Sequence, residues 1–281
     1  MKIHALQTGQ VAIKQNQRQG VSAGLGRLAN TLLDSHWTPM LPILVWVIEH
    51  PEGLIVVDVG ETARVAQPGY FPRWHPFLQL CNRMDVKPDD EIGPSMKRMG
   101  LSPDDVRWVV MTHMHTDHAG GLHHFPKAEI LISRQEYAAT RGFGGLVSGY
   151  LNQRFPTWLN PRLIDFEARP YENFPQSLPL TKAGDVQLVS TVGHSVGHMS
   201  VIAREGDRSY FLAGDTSYTE DFMLRQVVDG VSPDEHAARQ TLRHVFDYTQ
   251  QHPTVYLPSH DPDSVTRLER GQVVAAVATT L

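Results

Sequence analysis

The chain has 281 residues, 41% hydrophobic and 20% charged, which is enough apolar material for a sizeable core and too much for a disordered segment. Its 25 basic and 30 acidic residues leave a formal net charge of −5, the wrong sign for a surface that neutralises nucleic-acid phosphates. Cys81 is the only cysteine, which excludes an intrachain disulfide and a thiolate-rich metal site, so any bound metal must rely on imidazole and carboxylate ligands.

Met1 to Lys14 lacks the long apolar core of a signal peptide or membrane span, and the expectation is a cytoplasmic protein with no membrane partner. The apolar runs 43–48 and 54–59 flank the turn-forming Glu49-His50-Pro51-Glu52-Gly53 and predict a hairpin of two buried strands. Ile92, Met96 and Met99 recur at helical spacing before Gly100, which predicts a helix between Lys87 and Gly100. Residues 107–112 are apolar and β-branched and predict a strand running straight into His113. A strand over 129–132 is followed by Ser133 and Glu136, spaced as a capping box. Further strands are predicted over 186–190, 200–204 and 210–213, the last two joined by the turn Glu205-Gly206-Asp207-Arg208. Ser232-Pro233-Asp234-Glu235 reads as N-cap, first-turn proline and capping-box glutamate of a helix with Ala238, Leu242, Val245 and Phe246 on one face, and a strand over 254–257 follows. Segments 15–42 and 141–179 show no assignable element and read either as lids or binding loops or as short elements that the pattern does not reveal. There is no fixed-period repeat and no long polar linker, so the expectation is a single domain spanning 1–281, of α/β class, with two sheets packed between helices.

Fifteen histidines are many for this length, and spacing separates ten scattered ones from five that share a pattern. Thr112-His113-Met114-His115-Thr116-Asp117-His118-Ala119-Gly120-Gly121 packs three imidazoles and a carboxylate into six positions at a strand end. His113 and His115 project the same way from extended backbone and can grip one ion, while a tighter turn aims Asp117 and His118 at a neighbouring point. Downstream stand His194 in Gly193-His194-Ser195-Val196-Gly197-His198, Asp215 in Ala213-Gly214-Asp215, and His260 in Pro258-Ser259-His260-Asp261. Each is weak alone, as a loop histidine or a turn aspartate, and gains meaning only after the cluster.

This order, HxHxDH, then GH, GD and a final His, resembles the metallo-β-lactamase superfamily across nearly the whole chain. Gly214-Asp215-Thr216-Ser217-Tyr218 with Ser259-His260-Asp261 is similar to the N-acyl homoserine lactonases, the quorum-quenching branch. The resemblance implies an αβ/βα sandwich of two mixed β-sheets flanked by helices. It also implies two divalent metal ions per chain, zinc first and iron, manganese or cobalt as alternatives. His113, His115 and His194 would hold one ion, Asp117, His118 and His260 the other, with Asp215 shared. His198, the second histidine of GHxxGH, falls outside that set, and Asp58 in the DVG position orients a ligand.

The implied activity is hydrolysis of the lactone ring of N-acyl homoserine lactones by a metal-bridging hydroxide. Asp117 would carry a proton to the leaving ring oxygen, and Tyr218 would hydrogen-bond the carbonyl. The implied partner is a small acyl lactone, with a homodimer left open. One departure is Thr116, where the family often has a bulky aromatic. Phe143, Tyr150, Phe155 and Trp158 are read either as the lining of an acyl groove or as a local subcore. A glyoxalase II-like thioesterase and a lactonase for another ring use the same ligands, whereas an intact, open ligand set speaks against a non-catalytic sensor.

Overall fold

The computed structural model describes residues 1–277. Twelve strands are described: β1 (Lys2–Ile13), β2 (Leu41–His50), β3 (Gly53–Val57), β4 (Asn82–Asp85), β5 (Val106–Val110), β6 (Glu129–Ser133), β7 (Arg162–Ile164), β8 (Ser177–Pro179), β9 (Val186–Ser190), β10 (Met199–Glu205), β11 (Arg208–Gly214) and β12 (Thr254–Pro258). They form a seven-stranded sheet in the order β4-β1-β2-β3-β5-β6-β7 and a five-stranded sheet in the order β12-β11-β10-β9-β8. Both are mixed. Strands β3, β5, β6 and β7 run parallel, as do β11 and β12, and the remaining pairs are antiparallel.

Alternation along the strands sorts side chains into three apolar layers. Leu44, Trp46, Ile48, Ile55 and Val110 of the first sheet meet Leu188, Val201, Leu212 and Val255 of the second in a fully buried central layer. The intervening residues Val45, Val47, Val56 and Val109 face the other way, onto the helix Ile92–Arg98 through Ile92 and Met96. Ile202, Phe211 and Tyr256 on the far side of the second sheet pack on Val245 and Tyr248 of a 17-residue helix (Glu235–Gln251). At roughly 1.5–3 kcal/mol per fully buried large apolar side chain, these layers are the main source of stability. Helix, sheet, sheet and helix in that order make the αβ/βα sandwich. No helix among the described residues is long and apolar enough to cross a membrane.

Most predicted elements lie within a residue or two of those observed, and the differences have physical causes. The hairpin turn is tighter than read: His50 pairs with Gly53 around Pro51-Glu52. Strand β3 stops at Val57 because Asp58 takes φ 59°, a left-handed conformation that short polar residues tolerate. The N-terminal β1, which the sequence left without an element, pairs with β2 over most of its length and then with β4. Of the two readings left open for the unassigned segments, short elements are what the structure holds: the helix Leu25–Leu33 in the first, and β7 and β8 in the second.

Two helix caps differ from the expectation. The helix Glu235–Gln251 is capped by the Asp234 carboxylate, which accepts from Ala237 N at 2.9 Å, while Ser232 turns inward to Asp229. Glu136 does not complete a capping box either. It is buried, and accepts from Met114 N (3.0 Å), Ser195 Oγ (2.7 Å) and Gly197 N (3.1 Å), tying together two loops that carry candidate ligands.

Candidate metal centre

All the metal ligands expected from the sequence lie at one edge of the sandwich, where both sheets end. His113 and His115 follow the C-terminal end of β5, and Asp117 and His118 lie in the single helical turn Thr116–Ala119 just beyond. His194 sits in the β9–β10 connection, Asp215 follows β11, and His260 follows the C-terminal end of β12. Gly214 makes the approach of Asp215 feasible. Its φ is 56°, and a Cβ there would lie 2.7 Å from His198 Nε2 and 2.8 Å from Thr112.

The donor atoms form three overlapping sets: His113, His115 and His194; His113, His118 and Asp215; and Asp117, His118 and His260. His113 Nε2 is 3.0 Å from His115 Nδ1, which is 3.1 Å from His194 Nε2. His260 Nε2 lies 3.4 Å from both Asp117 Oδ2 and Asp215 Oδ1, and Asp215 Oδ2 lies 3.4 Å from His194 Nε2. Asp215 thus spans the two groups of imidazoles.

The hydrogen bonds behind these imidazoles fix which nitrogen is free. His118 Nδ1 donates to Asp58 Oδ2 at 2.8 Å, His194 Nδ1 to Asp229 Oδ2 at 2.9 Å, and His260 Nδ1 to the Pro42 carbonyl at 2.8 Å. Each partner is a pure acceptor, so each Nδ1 carries a proton and each Nε2 points at a carboxylate oxygen. A neutral imidazole facing a carboxylate through its lone pair in a buried pocket needs a cation between the two, a proton or a metal ion. Accordingly His118 Nε2 and Asp215 Oδ1, 3.3 Å apart, are buried without a hydrogen-bond partner. The residues present therefore fit divalent ions held by imidazole and carboxylate.

Electrostatics agree. Burial opposes the charge of Asp117 and Asp215, yet the surrounding imidazoles outweigh it, holding Asp117 at about 2 and Asp215 well below the usual carboxylate range. Burial alone would depress His194 as well, but Asp229 and Asp215 reverse that and lift it to about 9. The pocket strongly favours positive charge.

His198 lies beside the centre but is spoken for. Its Nε2 accepts from Asp215 N at 3.1 Å and its Nδ1 faces Thr191 Oγ1 at 2.9 Å, so it positions the backbone of Asp215. Asp58 accepts from Thr112 N (2.7 Å) and Thr112 Oγ1 (2.8 Å) as well as from His118. Asp229 was not singled out in the sequence, since Asp229-Gly230 reads as an ordinary turn. Its Oδ1 accepts from Val231 N and Ser232 N, and its Oδ2 from Ser232 Oγ and His194. With donors on every side, the amide of Asp229→Asn must direct its NH2 at one of them. That substitution is expected to weaken metal binding or hydrolysis roughly 10- to 100-fold, measured by metal content after dialysis against a metal buffer.

Above the centre opens a cavity of about 750 Å³. Asp117, Tyr218, His115, His194 and His260 line one end, and Ile13, Leu28, Phe77 and Met84 contribute apolar wall. Tyr218 is buried and stacks on His260 at 5.9 Å between ring centroids. Burial and the nearby Asp215 push its phenol well above the usual tyrosine range, so it remains a hydrogen-bond donor. The four aromatics of 143–158 divide. Tyr150 lines the cavity and lies over His115, and Phe155 packs on the core of the first sheet. Phe143 stacks on Trp74, a cavity-wall residue, and Trp158 is partly exposed away from the cavity. Thr116 also faces the cavity, backed by the buried Glu61, whose carboxyl burial lifts to about 8.

The metallo-beta-lactamase superfamily model matches residues 38–260. The N-acyl homoserine lactonase AiiA of Bacillus thuringiensis subsp. kurstaki is 32% identical over 207 residues, 72% of this chain and 76% of that protein. The N-acyl homoserine lactonase AttM of Rhizobium radiobacter is 27% identical over 236 residues, 80% and 83% of the two chains. Among solved structures, an N-acyl homoserine lactone hydrolase with the product N-hexanoyl-L-homoserine bound at its catalytic metal centre superposes with a TM-score of 0.76. It is 23% identical, and the match covers 97% of this chain and 96% of that one.

Proposed function

The chain belongs to the metallo-beta-lactamase superfamily and, within it, to the N-acyl homoserine lactonases, and from that membership we propose that it hydrolyses the lactone ring of N-acyl homoserine lactones at a dinuclear divalent-metal centre, zinc being the first candidate. The observation that carries this reading is the junction of a metal-ready ligand cluster with a large, mainly apolar cavity and the protonated phenol of Tyr218 at the boundary. In the proposed assignment His113, His115 and His194 would hold one ion and Asp117, His118 and His260 the other, with Asp215 shared between the two sets. Such a pair supplies hydroxide near neutral pH and Lewis-acid polarisation of a carbonyl.

The protein's own groups do the rest. The apolar wall takes the acyl chain and excludes water from it, leaving the polar lactone at the wet end. Tyr218 donates its phenolic proton in a hydrogen bond to the carbonyl oxygen as negative charge grows there. Asp117, ionised at neutral pH, accepts the proton released as water adds and passes it to the ring oxygen as the C–O bond breaks. The product is an N-acyl homoserine, with one water consumed per ring.

The test is proton release in weak buffer with N-hexanoyl homoserine lactone, with a glutathione thioester run alongside. Lactone turnover that exhaustive chelation lowers by at least ~100-fold, and that added Zn2+ restores, supports the reading. Turnover confined to the thioester sinks it and moves the activity to the thioesterase branch.

A further inference from the structure

A second cluster with the same lone-pair signature lies outside the catalytic centre. His123 and His124 end the 3-10 turn Gly120–His124 that follows the helical turn Thr116–Ala119, and Glu91 precedes the first turn of the helix Ile92–Arg98. His123 Nδ1 faces the Gly120 carbonyl at 3.2 Å. A carbonyl only accepts, so that nitrogen carries the proton, and the Nε2 lone pair faces Glu91 Oε2 at 3.3 Å. His124 Nε2 reaches the same oxygen at 2.7 Å. A single proton satisfies two of these three atoms and leaves the third facing a lone pair; a metal ion satisfies all three.

The ligands are held as metal ligands are held. Glu91 Oε1 is occupied by Thr62 Oγ1 (3.0 Å) and Ala63 N (2.8 Å), which leaves Oε2 free to face the imidazoles. A side chain at position 93 would obstruct the site: a Cβ there would lie 2.4 Å from His124 Nδ1, so Gly93 gives that ring its place. Zinc–nitrogen bonds of about 2.0–2.1 Å place tetrahedral donors roughly 3.3 Å apart; Glu91 Oε2 lies 3.3 Å from one imidazole nitrogen and 2.7 Å from the other, and the donor atoms all lie within 4.8 Å of one another. The side chains of Glu91, His124 and His123 are 11%, 21% and 34% exposed, so solvent can supply a fourth ligand. None of the three lines the catalytic cavity.

We propose that Glu91, His123 and His124 form an additional divalent-metal site, distinct from the catalytic pair, that takes a borderline ion such as Zn2+ through two imidazole nitrogens and one carboxylate oxygen. The test titrates the metal-loaded enzyme with Zn2+ against a chromophoric competitor. One further equivalent beyond the catalytic complement is expected. It should be lost in His123→Ala, and weakened roughly tenfold or more in Glu91→Gln and in Gly93→Ala. His36→Ala, at an exposed histidine elsewhere, should leave it unchanged. His123 is the most exposed of the three, so its variant is the one least prone to unfold, and circular dichroism verifies its fold. Anomalous scattering at the zinc edge in a crystal of the loaded enzyme gives an independent position. The proposal is overturned if the wild type takes no further Zn2+ below about 1 mM, or if the extra equivalent persists at full affinity in His123→Ala.

Discussion

Asp117→Asn is expected to lower kcat/KM for N-hexanoyl homoserine lactone by roughly 10²- to 10⁴-fold, the range for removal of a positioned proton carrier. The amide keeps one oxygen that can face the ion but loses the charge and the basicity. Asp117 Oδ2 lies 3.4 Å from His260 Nε2 and shares that imidazole with Asp215. Part of the loss should therefore appear as metal released, up to one equivalent per chain. Single-turnover kinetics with metal analysis on the same sample separate the two contributions. A variant that retains all its metal and turns over normally would remove Asp117 from the chemistry.

Tyr218→Phe should behave differently. Removal of one donor to a developing oxyanion is expected to cost roughly 10- to 10³-fold in kcat, with metal content unchanged. Phenylalanine conserves the ring that packs among Val11, Ile13 and Leu41 and stacks on His260, so folding and ligand geometry should survive. The effect should fall on kcat more than on KM, because the contact strengthens only as the carbonyl oxygen gains charge. A rate within twofold of wild type would show that the phenol merely packs.

Much of the fold was legible because its strands are short, β-branched and buried on both faces, so continuous apolar runs marked them directly, as at β2 and β5. β1 was not legible: its N-terminal half is only partly buried, and its apolar residues do not form a run. The ligand cluster could be read because six consecutive positions carry it. The residues that orient the ligands could not. Glu136 and Asp229 are remote in sequence from the histidines they serve, and each sits where local chemistry offers a plainer role, a helix cap or a turn. Side chains recruited from afar leave no local periodicity, and both misread caps were lost to other partners: Glu136 is drawn inward by Met114, Ser195 and Gly197, and Ser232 turns to Asp229, which leaves the capping to Asp234.

The candidate ligands run from His113 to His260 and come from the ends of strands in both sheets. No early hairpin or isolated sheet can hold a complete set, so the free energy of ion binding is released only once the two halves of the chain have docked. The ions should consequently act on the lifetime of the folded protein more than on the speed of reaching it, slowing unfolding and leaving the initial collapse almost untouched. Metal starvation would then shorten the life of existing molecules, through exposure to proteolysis, before it hindered the folding of new ones.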